Sequence, residues 1–199
     1  MALAMNDKVL TEAFGPSTGT ALRVKQAAMV VLGIMVLAIA AKIKIPMWPV
    51  PITMGTFAVL TIGAAYGPTL GLTTILGYMI VGALGFDVFA GSSAEAYGLS
   101  YMMGGTGGYL VGYVLATLAL GFLARAGWDR SMGKMALAML VGNALIYIPG
   151  VAWLGVLYGW DQPILQWGLT PFLIGDALKL GLAALLLPAV WKMVGDARK

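Results

Sequence analysis

Long apolar runs, separated by short polar or glycine- and proline-rich stretches, make up most of the chain. A bilayer core of about 30 Å requires around 20 apolar residues in helical form, so these runs predict membrane-spanning helices. Gly67-Pro68 ends the second run, and Pro149-Gly150 interrupts the fifth. We predict an all-α membrane protein of six helices, at 26–41, 52–66, 69–84, 107–124, 135–158 and 170–194.

The predicted helices form one domain, because no internal repeat and no low-complexity tract divides the chain. A polar segment, 1–25, precedes this domain, which covers 26–194, and a short tail, 195–199, follows it. Gly104, Gly108, Gly112 and Ala116 recur every four residues into the fourth helix, a spacing that lets helices approach closely in lipid. We interpret this stripe as internal helix packing rather than a surface for a partner.

Two connections have compositions that indicate function. Residues 42–51 contain Pro46, Pro49 and Pro51 beside Trp48, so they cannot be helical and predict a rigid apolar loop that could act as a lid. Residues 85–106 are rich in glycine and aromatic residues. A connection of this length is uncommon unless it is functional.

The composition predicts the class of protein, and the placement of charged residues predicts its orientation in the membrane. The chain is 60% hydrophobic and 10% charged, whereas soluble domains carry about 25% charged residues. We therefore attribute the net charge of +4 to membrane topology and not to nucleic-acid binding. Only Lys42 and Lys44 lie on the side away from the termini. Cations on the terminal side predict cytoplasmic termini: Lys8, Arg23, Lys25, Arg125, Arg130, Lys134, Lys192, Arg198 and Lys199.

The chain lacks the residues that several kinds of chemistry require. The chain has no cysteine and no histidine, so disulfides, thiolate nucleophiles, Cys/His zinc sites and imidazole catalysis are excluded. Asp87 and Glu95 fall in a predicted loop, so no second carboxylate accompanies Asp176 inside the membrane to form a catalytic pair. We therefore predict neither an enzyme nor a bound cofactor.

Asp176 and Lys179 are the candidate site, because they place opposite charges three residues apart in the predicted sixth helix. Intramembrane charges cost roughly 2.5–3.5 kcal/mol on insertion scales and usually have a function. At this spacing the two side chains share a helical face, so they either neutralise each other or bind one polar ligand together. Asp176 is expected roughly 9 Å below the outer surface, beneath the aromatic loops. The pattern favours an outward-facing pocket for a small, mostly apolar ligand with one polar end.

Four stretches, taken in order, resemble the BioY family, the biotin-capturing S components of energy-coupling factor (ECF) vitamin importers. The stretches are 45–53, 85–91, 105–109 and 175–179, which read IPMWPVPIT, GFDVFAG, GTGGY and GDALK. The resemblance implies a six-helix S-component fold in the cell inner membrane and biotin capture near the outer face. It also implies docking to a transmembrane coupling subunit driven by ABC-type ATPases, because this chain has no phosphate-binding G-x-x-x-x-G-K-[ST] loop of its own.

Site residues follow from the resemblance. Asp176 and Lys179 match the polar ligands of the family, and Phe89, Gly91 and Ser92 match the segment that closes on the ligand. The carboxylate would accept the N–H groups of the biotin ureido ring and the ammonium would donate to its carbonyl. Aromatic side chains would hold the rings, with two further polar candidates facing the bundle interior: Trp48, Phe89 and Tyr147, then Tyr78 and Asn143.

This chain also departs from the family pattern. Gly55 stands where glutamine is common, and Asp87 stands where proline is expected. The two alanines at a spacing of four that form the docking motif in the first helix are not present, so no residues are assigned to that surface.

Other function classes are weighed against biotin capture. An S component for thiamin or riboflavin would have the same architecture. A stand-alone proton-coupled transporter would normally show inverted repeats and discontinuous helices, and no repeat is detectable here.

Overall fold

The computed structural model describes residues 8–91 and 97–196. The fold is built from helices, as predicted. The long helices are α1 (Gly19–Lys42), α2 (Gly55–Ala83), α4 (Gly107–Arg125), α5 (Met132–Tyr158) and α7 (Phe172–Asp196). Short elements connect them: α3 (Gly98–Met102), α6 (Ile164–Gly168), strands β1 (Lys44–Ile45) and β2 (Ile52–Thr53), and 3-10 helices Leu10–Ala13 and Trp128–Arg130.

The predicted break at Gly67-Pro68 is present inside α2. Gly67 has φ +77°, a backbone conformation that glycine adopts without strain. A Cβ added to Gly71 would lie 3.6 Å from the Cα of Gly63, although residues eight apart in a straight helix are separated by about 12 Å. The chain therefore folds back at Gly67, and α2 consists of two segments, 55–66 and 68–83.

This reversal determines how the spans are counted. Five helices among the described residues are long and apolar enough to cross a membrane, with α2 taken as one of them. Six spans require the two segments of α2 to be counted separately. The number six, and the cytoplasmic position of the termini, remain predictions.

Close packing of α4 explains the stripe of small residues. A Cβ added to Gly108 would lie 2.3 Å from the carbonyl oxygen of Pro149. A Cβ added to Gly112 would lie 2.6 Å from the Cα of Ile146. Both positions face α5, so the stripe packs inside the bundle, as interpreted from the sequence. Gly104 lies before the first turn of α4 and does not belong to the helix.

The predicted interruption at Pro149 is wrong. Residues 132–158 form one continuous helix with Pro149 inside it. Proline removes a single backbone hydrogen bond, and membrane helices tolerate that loss where neighbouring helices pack against them. Helix α1 also begins at Gly19, seven residues before the predicted start at Gln26, because its polar first turns extend beyond the apolar run.

The connections gather at two opposite ends of the bundle. At one end, the Trp48 ring packs edge-on against Tyr158 and Trp167, with ring centroids 5.3 and 4.9 Å apart. At the other end, Arg125 pairs with Glu12 at 2.7 Å, and Trp191 donates its indole N–H to Asp129. The loop that carries Trp48 therefore lies against the connection between α5 and α7, and the N-terminal segment packs at the opposite end.

Candidate substrate-binding site

The predicted charge pair forms in the first two turns of α7. Lys179 Nζ lies 2.8 Å from Asp176 Oδ1, and the two residues are only 8% and 4% exposed. Their spacing of three puts both on the face of α7 that packs into the bundle. The prediction that they share one buried face is confirmed.

Other elements complete the hydrogen bonding of this pair. Lys179 Nζ also donates to the carbonyl oxygen of Thr53 at 2.7 Å and to Thr56 Oγ1 at 2.9 Å. The Tyr147 hydroxyl donates to Asp176 Oδ2, and Thr56 Oγ1 lies 3.3 Å from Asp176 Oδ1. A buried ion pair is tolerated when its remaining donors and acceptors are satisfied in this way. The end of β2, the start of α2 and the middle of α5 thus meet at the pair.

A cavity opens beside the pair, between α1, α2, α4, α5 and α7. Lys179, Thr56 and Tyr147 reach its wall, and most of the remaining lining is apolar or aromatic: Leu37, Val50, Tyr101, Tyr109, Leu110 and Phe172. The volume of this cavity is about 50 Å³. Ligand pockets usually hold roughly 300–1,000 Å³, so the side chains of the protein nearly fill this one.

Phe89 is one of the side chains that fill the cavity. Its ring stacks on Tyr101 with centroids 4.9 Å apart and meets Tyr78 edge-on at 5.3 Å. The ring lies where a side chain at Gly82 would be, since a Cβ there would come within 2.1 Å of it. Burial raises the pKa of the Tyr101 phenol, so this group stays a neutral donor at physiological pH.

The segment that carries Phe89 is held by cations from the end of α1 and from β1. Lys42 Nζ donates to the Phe89 carbonyl at 2.7 Å and also pairs with Asp87. Lys44 Nζ donates to the carbonyls of Ala90 and, at 2.8 Å, Gly91. The predicted closing segment is therefore attached by hydrogen bonds to the loop that was predicted as a lid.

The structure brings most, but not all, of the predicted residues together. Asp176, Lys179, Tyr147, Phe89 and Tyr78 meet at the pair or its cavity, and the Tyr78 hydroxyl donates to the Val88 carbonyl at 3.0 Å.

Three other predicted residues lie away from the cavity lining, and one falls outside the described ranges. Trp48 is 63% exposed and packs on aromatic residues at the end of the bundle. Asn143 lies one helical turn from Tyr147, and its buried Oδ1 has no hydrogen-bond partner among the residues described. Gly91 contributes its carbonyl to Lys44. Ser92 lies outside the described residues.

Neighbouring side chains occupy the space beside Gly55, the position where the family commonly has glutamine. A Cβ there would lie 2.8 Å from Thr53 Oγ1 and 2.9 Å from the Tyr113 hydroxyl. These two groups occupy the space that a larger side chain would need. Asp87, the other departure, pairs with Lys42 and so helps to hold the Phe89 segment.

Sequence reasoning missed Thr56, the Thr53 carbonyl and Tyr109. The signal for Thr56 was a hydroxyl in the first turn of α2, on the face shared by buried Val59, Leu60 and Gly63. Tyr109 ends the GTGGY stretch, and its hydroxyl donates to the Gly168 carbonyl at 2.7 Å. It thereby connects the wall of the cavity to the short helix α6.

Comparisons with known proteins agree with this architecture. The model of the BioY family matches residues 11–196. A "Probable biotin transporter BioY" of Pyrococcus horikoshii is 34% identical over 166 residues, which cover 83% of this chain and 95% of that protein. A "Biotin transporter BioY" of Thermotoga maritima is 31% identical over 150 residues, which cover 75% and 86%.

A solved structure has the same fold. The crystal structure of the S-component for biotin from an ECF-type ABC transporter superposes with a TM-score of 0.74. The superposition covers 88% of this chain and 95% of that chain at 21% sequence identity.

Proposed function

The chain belongs to the BioY family of transport proteins, and on that basis we propose that it captures biotin for import across the membrane. It is a multi-pass membrane protein, and we place it in the cell inner membrane with the cavity facing outward. The observation that carries the proposal is the buried Asp176–Lys179 pair beside a cavity with aromatic walls. Such a site suits a ligand that is apolar except for one compact polar group.

The ureido group of biotin fits the donors and acceptors of the pair. It presents two N–H donors and one carbonyl acceptor. Asp176 accepts from the N–H groups and Lys179 donates to the carbonyl, both as charge-assisted hydrogen bonds in a site that excludes bulk water. The Tyr147 hydroxyl, which now donates to Asp176, orients the carboxylate.

Aromatic residues around the cavity hold the apolar ring system. Tyr109, Tyr147 and Phe172 form one wall, with ring centroids 5.9–6.4 Å apart. Phe89 and Tyr101, stacked on each other, form another part of the lining. Because the cavity is too small for a bicyclic ligand, we propose that the Phe89 segment moves out of the cavity to admit biotin and then closes over it.

Import requires partners that this chain does not contain. The sequence has no phosphate-binding loop, so the chain is proposed to act as a binding subunit and not as an enzyme. A transmembrane coupling subunit and ABC-type ATPases of the ECF class would supply the movement and the ATP hydrolysis. Uptake by vesicles that contain this chain alone, abolished by a proton uncoupler, would instead favour a secondary transporter.

Equilibrium binding to the purified protein tests the substrate. We expect saturable binding of labelled biotin and none of thiamin or riboflavin. Asp176→Asn should weaken biotin binding by more than about tenfold, since a neutral amide loses the charge-assisted bond. Asp161→Asn is the matched control, because Asp161 is an exposed carboxylate in a loop at the same end of the bundle. Equal affinities of wild type and Asp176→Asn would contradict the assignment of the ureido group.

A further inference from the structure

A second cavity lies at the end of the bundle opposite the Asp176–Lys179 pair. It is formed by the N-terminal segment, the beginning of α1 and residues 66–73 of α2. Its volume of about 660 Å³ lies within the range of ligand pockets, roughly 300–1,000 Å³. It shares no lining residue with the first cavity, so it is a separate candidate site.

The mouth of this cavity is positively charged. Lys8, Lys25 and Arg125 line it together with one carboxylate, Glu12, which pairs with Arg125 at 2.7 Å. Within the part of the chain that the structure describes, no carboxylate lies within ion-pair distance of Lys8 or Lys25. Two cationic charges at the mouth are therefore not balanced by a carboxylate there, which favours an anionic ligand.

Lys25 is positioned to contact such a ligand. Its ammonium donates to the backbone carbonyls of Thr11, at 2.6 Å, and Phe14, so it is held at the mouth by neutral acceptors. An ammonium has three protons, and these two bonds leave one for a ligand oxygen. The bonds also orient the ammonium before the ligand arrives.

Much of the cavity lining away from the cations is apolar. Two of its polar groups are satisfied within the protein: the Tyr66 hydroxyl donates to the Met29 carbonyl at 3.1 Å, and Thr73 Oγ1 donates to the Thr69 carbonyl at 3.0 Å. The lining also holds the polar side chains of Thr11, Ser17, Gln26 and Thr69. Hydrocarbon side chains contribute much of the rest: Leu22, Met29, Val30 and Leu70. An acyl chain beside these four side chains would bury apolar surface.

The surrounding surface adjoins the lipid. Helix α1 packs mainly on α2, and only 22% of its most apolar stretch is buried. Val24 and Val31, next to cavity-lining residues of α1, are 64% and 56% exposed. A cationic mouth above an apolar cleft, at the end of a membrane helix, has the chemistry of a phospholipid site. We infer that this cavity binds one anionic phospholipid, with its phosphate at Lys8 and Lys25 and an acyl chain between α1 and α2.

Native mass spectrometry of the detergent-purified full chain tests this site. Dioleoyl-phosphatidylglycerol should form a one-to-one complex that is at least about tenfold tighter than the complex with zwitterionic dioleoyl-phosphatidylcholine. Lys8→Gln should weaken the phosphatidylglycerol complex about fivefold, the contribution of one lysine near anionic lipid. Lys134→Gln is the control, because Lys134 is an exposed lysine at the same end that does not line the cavity. It should leave the affinity unchanged.

A soluble competitor separates a lipid site from a simple phosphate site. Millimolar sn-glycerol 3-phosphate has the phosphate but lacks acyl chains, so it should not displace phosphatidylglycerol. Displacement by this compound would show a phosphate site and overturn the lipid assignment. Equal affinities for the two lipids, or an unchanged affinity in Lys8→Gln, would also overturn it. Lys8 is exposed, so its substitution leaves the fold intact, and biotin binding at the other end of the bundle reports that independently.

Discussion

Lys179 donates its ammonium protons to three acceptors of the protein itself, a carboxylate, a hydroxyl and a backbone carbonyl. Three bonds are the full donor capacity of an ammonium. A ligand carbonyl must therefore replace one of these acceptors. The Thr53 carbonyl and the Thr56 hydroxyl are the candidates, since loss of the Asp176 bond would separate two buried charges.

Because the two charges are paired, the single and double variants should differ in thermal stability. Lys179→Met leaves Asp176 buried without its cation, and breaking a buried pair in this way costs about 3–5 kcal/mol. The double variant Asp176→Asn, Lys179→Met removes both charges, so we expect it to unfold at a higher temperature than Lys179→Met. Biotin binding should be lost in both. Thermal unfolding in detergent measures the difference.

Lys192→Met is the control for this comparison, because Lys192 is an exposed lysine of the same helix. Its unfolding temperature should match that of the wild type. If Lys179→Met and the double variant unfold at the same temperature, the carboxylate is not stabilised by the ammonium.

The charged residues of the candidate site could be predicted from the sequence, but its uncharged residues could not. Asp176 and Lys179 are charged residues within an apolar run, a rare pattern that indicates a site even without structure. Thr56 and Tyr109 could not be identified in the same way, because single hydroxyl residues are common in apolar helices. Trp48 lies among other aromatic residues away from the cavity, since the loop that carries it folds toward Tyr158 and Trp167.

Among the elements, α2 and α4 depend on glycine for their close approach. A Cβ added to Gly121 would lie 2.4 Å from the backbone nitrogen of Pro68, in the turn between the two segments of α2. No flexible side chain is available to move aside at this point. The turn and α4 therefore fit only while position 121 lacks a side chain.

Gly121→Ala should destabilise the protein by about 1–3 kcal/mol, the usual cost of overpacking a well-packed interior. Gly181→Ala is the matched control, because Gly181 is also helical and has no neighbouring atom within 4 Å of an added Cβ. It should be neutral or stabilising by up to about 1 kcal/mol. The unfolding temperature of Gly121→Ala should lie below that of the wild type. The unfolding temperature of Gly181→Ala should equal or exceed that of the wild type.

The positions of the long helices and the turn at Gly67 were predictable because continuous apolar runs and a Gly-Pro pair have direct structural consequences. Pro149 was misjudged, since its effect depends on how α4 packs beside it. The strands Lys44–Ile45 and Ile52–Thr53 have two residues each, too few to show an alternating pattern. The helices at 10–13 and 128–130 are equally short and form against neighbouring elements.

At the scale of the whole molecule, the number of spans determines which sides of the membrane the two ends of the chain occupy. Six spans place both termini on the same side, whereas five would place them on opposite sides. The chain contains no cysteine, so each introduced cysteine is the sole thiol and reports one position.

Labelling of intact cells with a membrane-impermeant maleimide should distinguish the two counts. Asp161→Cys and Phe86→Cys, in the connections near the proposed biotin cavity, should react from outside. Arg23→Cys and Lys192→Cys, at the ends of α1 and α7 near the termini, should react only after permeabilisation. Reaction of Arg23→Cys from outside, with Lys192→Cys protected, would instead indicate an odd number of spans.

The ring of Phe89 in the cavity has a consequence for the time course of capture. If the ring must withdraw before biotin enters, the observed association rate in stopped-flow measurements should rise with vitamin concentration and then level off at the rate of withdrawal. Phe89→Ala should raise that plateau, while also speeding release, because the same ring delays escape. A rate that climbs linearly to the highest concentrations would mean that entry never waits for the aromatic side chain.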